Sequence, residues 1–152
     1  MDAVIVRQAT LKDLDVLLKF EQGIIKAERP FDATLEEDPI HYYDLKTMIL
    51  DADAEVLVAE KNNEIISSGY AVIKEAKSYL NHKTYAYLGF MYTHPDYRGH
   101  GINARIISVL KEWSFSKGLK EIRLTVYNDN QAAIKAYEKV GFERHLIEMR
   151  LK

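Results

Sequence analysis

The stretch Tyr92-Thr93-His94-Pro95-Asp96-Tyr97-Arg98-Gly99-His100-Gly101-Ile102-Asn103 decides how the rest of the chain is read. Tyr85 to Thr93 before it is aromatic and apolar, with Gly89 as its one breaker, which is the composition of a strand. After it, Ile102, Ile106, Val109, Leu110 and Trp113 recur at helical spacing. Pro95 therefore marks a strand's end, and Gly99 and Gly101 open a helix. Glycines there let the backbone turn tightly and approach a ligand without a Cβ in the way. The first N–H groups of a helix lack intrahelical partners and sit at the positive end of its dipole, so a phosphate or pyrophosphate is the natural guest.

Working outward, Ala3 to Gln8 reads as a first strand. Thr10 with Asp13 forms a capping-box-like start to a helix carrying Leu11, Leu14, Leu17, Leu18, Ile24 and Ile25. Pro30 interrupts it, and a second helix is expected from about Pro39 to Leu50. Glu55 to Lys61 and Glu64 to Glu75 form a hairpin through Asn62-Asn63, with a bulge suggested at Gly69. Beyond the glycine turn, Gly118 stops the helix, and Ile122, Leu124 and Val126 alternate in a strand that should run parallel to its predecessor. A last helix covers about Gln131 to Val140, and Ile147, Met149 and Leu151 alternate in a final strand. The fold class is α/β, a mixed and mostly antiparallel sheet with one parallel strand-helix-strand unit and helices on both faces. With no linker or repeat, residues 1–152 read as a single domain.

Composition narrows the function. A net charge of −2 without a basic run argues against a nucleic-acid protein, and no apolar stretch approaches the roughly 20 residues of a membrane span. The N-terminus from Met1 to Arg7 is short, acidic at its start and not a signal peptide, so a cytoplasmic setting is expected. The absence of cysteine removes disulfides, thiolate metal sites and a catalytic thiol, and the five histidines lack metal-ligand spacing, so no metal is expected.

A second stretch, Leu124-Thr125-Val126-Tyr127-Asn128-Asp129-Asn130-Gln131-Ala132-Ala133-Ile134-Lys135-Ala136-Tyr137-Glu138-Lys139-Val140-Gly141-Phe142, completes the pattern. Together the two resemble the signatures of the GNAT (Gcn5-related) N-acetyltransferases. The first is similar to Arg/Gln-x-x-Gly-x-Gly/Ala behind a Pro-containing turn, with Asn103 where the family usually has Gly or Ala. The second is similar to an Asn-x-Ala-Ala helix start followed by Tyr and then Gly-Phe.

The resemblance implies acetyl-CoA as co-substrate, direct transfer to a primary amine, and no metal. Backbone groups of Met91, Tyr92 and Thr93 would pair with the pantetheine arm, and Arg98, Gly99, His100, Gly101, Ile102 and Asn103 would cradle the phosphates. Asn130 would hydrogen-bond the cofactor, and Tyr137 would protonate the departing thiolate. Glu28, Arg29, Phe31 and Tyr42, with Tyr43, would border the acceptor, a small-molecule or protein amine. Gly89 and Phe90 stand near the place where many members carry a glutamate base. The base is therefore open among Glu28, Glu60, Glu75, His94 and Tyr127, and the alternative reading is a CoA-binding regulatory module without catalysis. The family often forms dimers, and the edge strands here could pair in a homodimer.

Overall fold

The computed structural model describes residues 3–152. Met1 and Asp2, part of the N-terminal stretch read above, lie outside the described residues. Five strands form one sheet in the order β1 (Ile5–Gln8), β2 (Ala54–Lys61), β3 (Glu64–Glu75), β4 (Thr84–Thr93), β5 (Ile122–Arg123). Neighbours are antiparallel except β4 and β5, which are parallel because a helix crosses between them. The β2–β3 hairpin turns through Asn62 and Asn63, both left-handed at φ 53° and 62°, a conformation that asparagine tolerates.

Helices cover both faces. On one, α1 (Leu14–Glu28) and α2 (Leu45–Leu50) press Leu17, Phe20, Ile24 and Leu45 against Val56, Val58, Tyr70 and Phe90. On the other, α3 (Ile102–Ser116) sets Ile102, Ile106, Ile107 and Leu110 against Leu57, Ala59, Ala71, Ala86 and Leu88. The i, i+4 spacing of those α3 residues is what makes one face of that helix apolar. A fourth helix, α4 (Gln131–Lys139), follows β5, and its Tyr137 packs on the same cluster as α3.

Three expectations change. Thr10 and Asp13 begin a 3-10 turn, Leu11–Asp13, and α1 starts only at Leu14, while Leu11 stays 44% exposed and Phe20 takes a core place. The capping box itself forms at that turn: the Asp13 carboxylate accepts from Thr10 N at 2.8 Å, and it also accepts from both Arg7 Nη atoms at 2.9 and 3.0 Å.

The second helix begins at Leu45, not Pro39. Asp44 caps it, accepting from Thr47 N and Oγ1 at 3.2 and 2.9 Å, while the N–H groups of Tyr42 and Tyr43 are taken by Glu21 and cannot enter a helical turn.

The final strand does not form: residues 142–152 pair with no strand, and β5 itself keeps a ladder only at Ile122 and Arg123. Alternation of Ile147, Met149 and Leu151 supplies a strand's side chains, but a strand also needs a neighbour for its backbone.

The departure that matters most lies in β4. Ser68 pairs with Tyr92 and Tyr70 with Gly89, so Phe90 and Met91 face Gly69 alone. This is a bulge at the position where Gly69 suggested one, with Phe90 left-handed at φ 58°. Burial of the Phe90 side chain against Tyr43 and Tyr70 holds this uncommon geometry in place. Ser68 Oγ donates to Phe90 O at 3.0 Å and Ser67 Oγ to Tyr92 O at 2.7 Å, binding the bulged strand to β3. The opposite edge of β4 meets β5 only at Ala86 and Tyr87, so Leu88 to Thr93 have no strand beside them on that side. The parallel pairing therefore ends well short of the C-terminal end of β4.

Candidate active site

The bulged, open end of β4 leads straight into the glycine turn. Pro95–Tyr97 forms one 3-10 turn, started by His94, whose Nδ1 accepts from Asp96 N at 3.1 Å. His94 thus serves the turn and is not free to act as a base.

Arg98 folds its side chain back, donating from Nε to Thr93 O at 2.8 Å, with its guanidinium 5.7 Å from the centre of the Tyr92 ring. That ring rests on Phe20 of α1 at 4.5 Å, so the glycine turn is tied to α1.

Gly99 and Gly101 take φ values of 82° and 75°, and a Cβ at either position would meet no atom within 4 Å. Positive φ is what favours glycine here, and the space beside each is open. Among the described residues, the backbone N–H groups of residues 99–104 have no protein acceptor, and the first helical bond of this run is Arg105 N to Gly101 O. Asn103 Oδ1 is buried without a partner. Ile102 is only 5% exposed and anchors the helix in the core, so only its backbone faces the turn's open side.

Beside the turn a cavity of about 280 Å³ is lined by Val4, Lys61, Asp96, Tyr97, His100, Ile102 and Arg105. Lys61 and Arg105 against Asp96 leave it net basic. A run of free N–H groups at the N-terminus of a 15-residue helix, with basic side chains next to it, fits a polyphosphate.

The second matched stretch forms α4. Asn130 caps it, its Oδ1 accepting from Ala133 N at 3.2 Å, which leaves the amide nitrogen for another partner. Tyr137 lies half-buried with its ring edge-on to Phe142 at 6.0 Å, and its hydroxyl bonds to none of the described residues. Burial pushes that hydroxyl up to about 12, with smaller contributions from Glu28 and Tyr87.

The residues that the resemblance assigned to the acceptor lie at and beyond the end of α1. Phe31 stacks on Tyr127 with ring centres 6.1 Å apart, and Tyr127 Oη donates to Asp32 Oδ2 at 2.8 Å. Burial raises the Glu28 carboxyl above the ordinary range, and its charge acts on the hydroxyls of Tyr42, Tyr127 and Tyr137. Tyr42 Oη is buried and outside bonding geometry with any described group, although it lies close enough to Glu28 for each to shift the other. Arg29 is spent on the loop, donating to Glu36 O at 2.9 Å and Asp38 Oδ1 at 2.6 Å. Of the other candidate bases, Glu60 accepts from Arg7 at 2.9 Å, and Glu75 is exposed at the end of β3. Neither is among the groups that act on Tyr137.

Asp32 and Tyr87 belong to this constellation without having been read as site residues. Nothing in the local sequence marks them, because they meet Tyr127 and Tyr137 only through the tertiary fold.

Glu21 shapes this wall from within. It is 0% exposed and accepts from Tyr42 N at 2.9 Å, Tyr43 N at 2.8 Å and the His41 ring at 2.8 Å. Glu21→Ala would leave two backbone donors unsatisfied and is expected to cost about 3 kcal/mol in urea unfolding, with Glu21→Gln losing roughly half as much.

Comparison with known proteins adds the lineage. A family model described as the acetyltransferase (GNAT) family matches residues 22–142. An acetyltransferase of Pectobacterium atrosepticum is 39% identical over 87 residues, which are 57% of this chain and 56% of that protein. The chain thus spans about half the length of the curated relatives it matches. A predicted acetyltransferase of Clostridium acetobutylicum, solved with acetyl-CoA, superposes with a TM-score of 0.74 at 21% identity, covering 99% of this chain and 96% of that one. The aminoglycoside N-acetyltransferase AAC(6')-Iy, solved with a CoA bisubstrate analogue, gives 0.74 at 19% identity over 99% of each chain. At these identities the likeness is one of fold.

Proposed function

The chain belongs to the GNAT acetyltransferase family, and from that premise we propose that it transfers the acetyl group of acetyl-CoA directly to a primary amine. The observation that carries this reading is the junction of two backbone stretches: the N–H groups of residues 99–104, which have no protein acceptor among the described residues, and the side of β4 from Leu88 to Thr93 that no strand covers. Acetyl-CoA offers a pyrophosphate for the first and an extended, amide-bearing arm for the second. The residues fit it, since Gly99 and Gly101 leave room where a Cβ would stand and Asn103 Oδ1 is a buried acceptor awaiting a donor.

What acetyl-CoA supplies is an activated acyl group on a thiol leaving group. The chain supplies the rest. Backbone groups of Met91, Tyr92 and Thr93 hold the arm, and those of the Arg98 to Asn103 turn hold the phosphates, with Lys61 and Arg105 adding positive charge nearby. Asn130 offers its amide nitrogen to acetyl-CoA. Phe31, Tyr42 and Tyr127 flank the acceptor amine, Arg29 fixes the loop between Phe31 and Tyr42, and Glu28 takes the proton the amine gives up. A C–N bond forms as the C–S bond breaks, and Tyr137 Oη gives its proton to the departing sulfur. A tyrosine held near 12 stays protonated at neutral pH, as this role requires. The aminoglycoside-acetylating relative makes polyamines and aminosugars the first acceptors to try. The cysteine-free sequence suits a reducing cytoplasm, and no helix among the described residues is long and apolar enough to cross a membrane.

The test is a panel of aminosugars, polyamines, amino acids and lysine-bearing peptides, read by release of free CoA thiol and by the mass of the acetylated product. Saturable turnover with any of them supports the proposal, and CoA binding without turnover across the panel favours the regulatory module. Glu28→Gln gives a sharper readout. Because the Glu28 carboxyl is raised by burial, its base form is lost as pH falls through that raised value. The wild-type rate should therefore decline on the acid side above the ordinary carboxylate range. The variant should lose this limb and run about 10- to 100-fold slower at neutral pH.

A further inference from the structure

Tyr70 on β3 carries a hydroxyl that the fold itself does not use. The residue is 8% exposed, and its Oη makes no hydrogen bond to another described residue. Its ring is fully accounted for by packing, with Tyr43 edge-on at 5.2 Å and Phe90 stacked at 6.5 Å. A phenylalanine would make those contacts equally well. Burying a hydroxyl without a partner is destabilising, so the oxygen is what needs a reason.

Its location supplies one. Tyr70 stands directly opposite Gly89 of β4, and its side chain leans across that strand. A Cβ built at Gly89 would lie 2.7 Å from both Cζ and Oη of Tyr70, so the hydroxyl fills the space that a side chain at 89 would take. Glycine is what admits the ring here. Gly89 precedes the bulged Phe90, and beyond Tyr87 no strand covers the far side of β4. The Tyr70 hydroxyl is thus brought from the neighbouring strand to the one that would hold the acyl arm.

The tyrosines around it are engaged elsewhere. Tyr87, two residues before Gly89 and on the same face of β4, has its Oη 2.5 Å from Thr125 Oγ1. Tyr43 lies edge-on to Phe90 at 5.3 Å, behind the bulge. Tyr87 acts electrostatically on both Tyr70 and Tyr137, and Glu28 acts on both Tyr43 and Tyr137. Tyr70 therefore shares the neighbourhood of the two groups to which the transfer reaction assigns proton movement.

Resting on the acetyltransferase reading above, we propose that the Tyr70 hydroxyl accepts one N–H of the acceptor amine and thereby makes the site selective for primary amines. A primary amine has two N–H bonds and one lone pair. With one N–H donated to Tyr70 Oη and the other directed to Glu28, the lone pair is left for the thioester carbon. On attack the C–N bond forms and the C–S bond breaks. The proton facing Glu28 passes to its carboxylate, and the sulfur takes the proton of Tyr137. The N–H on Tyr70 stays on nitrogen and becomes the amide N–H of the product. Tyr70 keeps its own proton throughout, as suits a hydroxyl that burial, with a smaller contribution from Tyr87, pushes up to about 12. A secondary amine has a single N–H and cannot serve both partners.

The test compares kcat/KM for a primary amine that the acceptor panel shows to be a substrate with kcat/KM for its N-methyl counterpart. The wild type should favour the primary amine by about 10- to 100-fold. Tyr70→Phe keeps the ring, so any crowding by the methyl group is unchanged, yet the preference should shrink about tenfold through loss of the primary substrate alone. Its KM for acetyl-CoA should not move, and its melting temperature should be equal or slightly higher, because the deleted hydroxyl bonds to nothing in the free chain. Gly89→Ala reaches the same oxygen from the other side, since the new Cβ must displace it, and should also shrink the preference. In the Tyr70→Phe background it should change the preference no further. A wild type without the preference, or a Tyr70→Phe variant that retains it, overturns the role of Tyr70 and leaves the acetyltransferase reading standing. A chain that binds acetyl-CoA yet acetylates no amine in the panel overturns both.

Discussion

Gly101→Asp is expected to weaken acetyl-CoA binding by about a hundredfold in titration calorimetry while the chain remains folded. Two effects act together. A side chain at φ 75° costs roughly 1–2 kcal/mol unless the turn relaxes. A carboxylate about 5 Å from a phosphate charge adds roughly 3 kcal/mol of repulsion at an effective dielectric of 20, less with salt screening. The fold should survive because a Cβ at Gly101 meets no atom within 4 Å, so the melting temperature should fall by only a few degrees. Gly101→Ala separates the contributions, since it keeps the backbone strain without the charge and should lose affinity only about fivefold to tenfold. Equal losses from both variants would mean that the turn, and not a bound phosphate, responds to the change.

Tyr137→Phe should act on the other half of the reaction. It removes a hydroxyl that bonds to no described residue, from a ring whose packing on Phe142 is unchanged, so neither stability nor acetyl-CoA affinity has reason to move. Turnover should fall about 100- to 1,000-fold, the usual range for loss of a positioned proton donor. Because burial holds this hydroxyl near 12, its proton is present across the accessible range. The wild type should therefore show no alkaline limb due to Tyr137 below about pH 10, and the loss in the variant should be nearly constant with pH. A variant whose KM for acetyl-CoA rose tenfold at unchanged kcat would place Tyr137 in binding instead.

Much of this arrangement can be read from the sequence because it depends on local chemistry. Gly99 and Gly101 behind Pro95 specify a left-handed turn opening a helix, and Asn62-Asn63 between two alternating runs specifies a hairpin. Gly69 pointed to the bulge, though not to its consequence, the left-handed Phe90 across from it. Where tertiary partners decide, local reading fails. Pro39 looked like a helix start, but Glu21, eighteen residues earlier, takes the N–H groups of Tyr42 and Tyr43 and delays the helix to Leu45. Asp32 meets the ring pair of Phe31 and Tyr127 only because Tyr127, 95 residues away, donates to it. The alternation in residues 147–151 suggested a strand that does not form, because alternation supplies side chains but not a neighbouring backbone to pair with.

The most direct test of the central claim is hydrogen exchange of the wild-type chain with and without saturating acetyl-CoA, with ATP as the control for a generic phosphate ligand. The expected result is slowed exchange in residues 88–93 and 99–104 together, with free CoA reproducing it and ATP protecting at most the second group. Acetyl-CoA that leaves both stretches unchanged at millimolar concentration would contradict the claim that the open edge of β4 and the glycine turn form one acyl-CoA site.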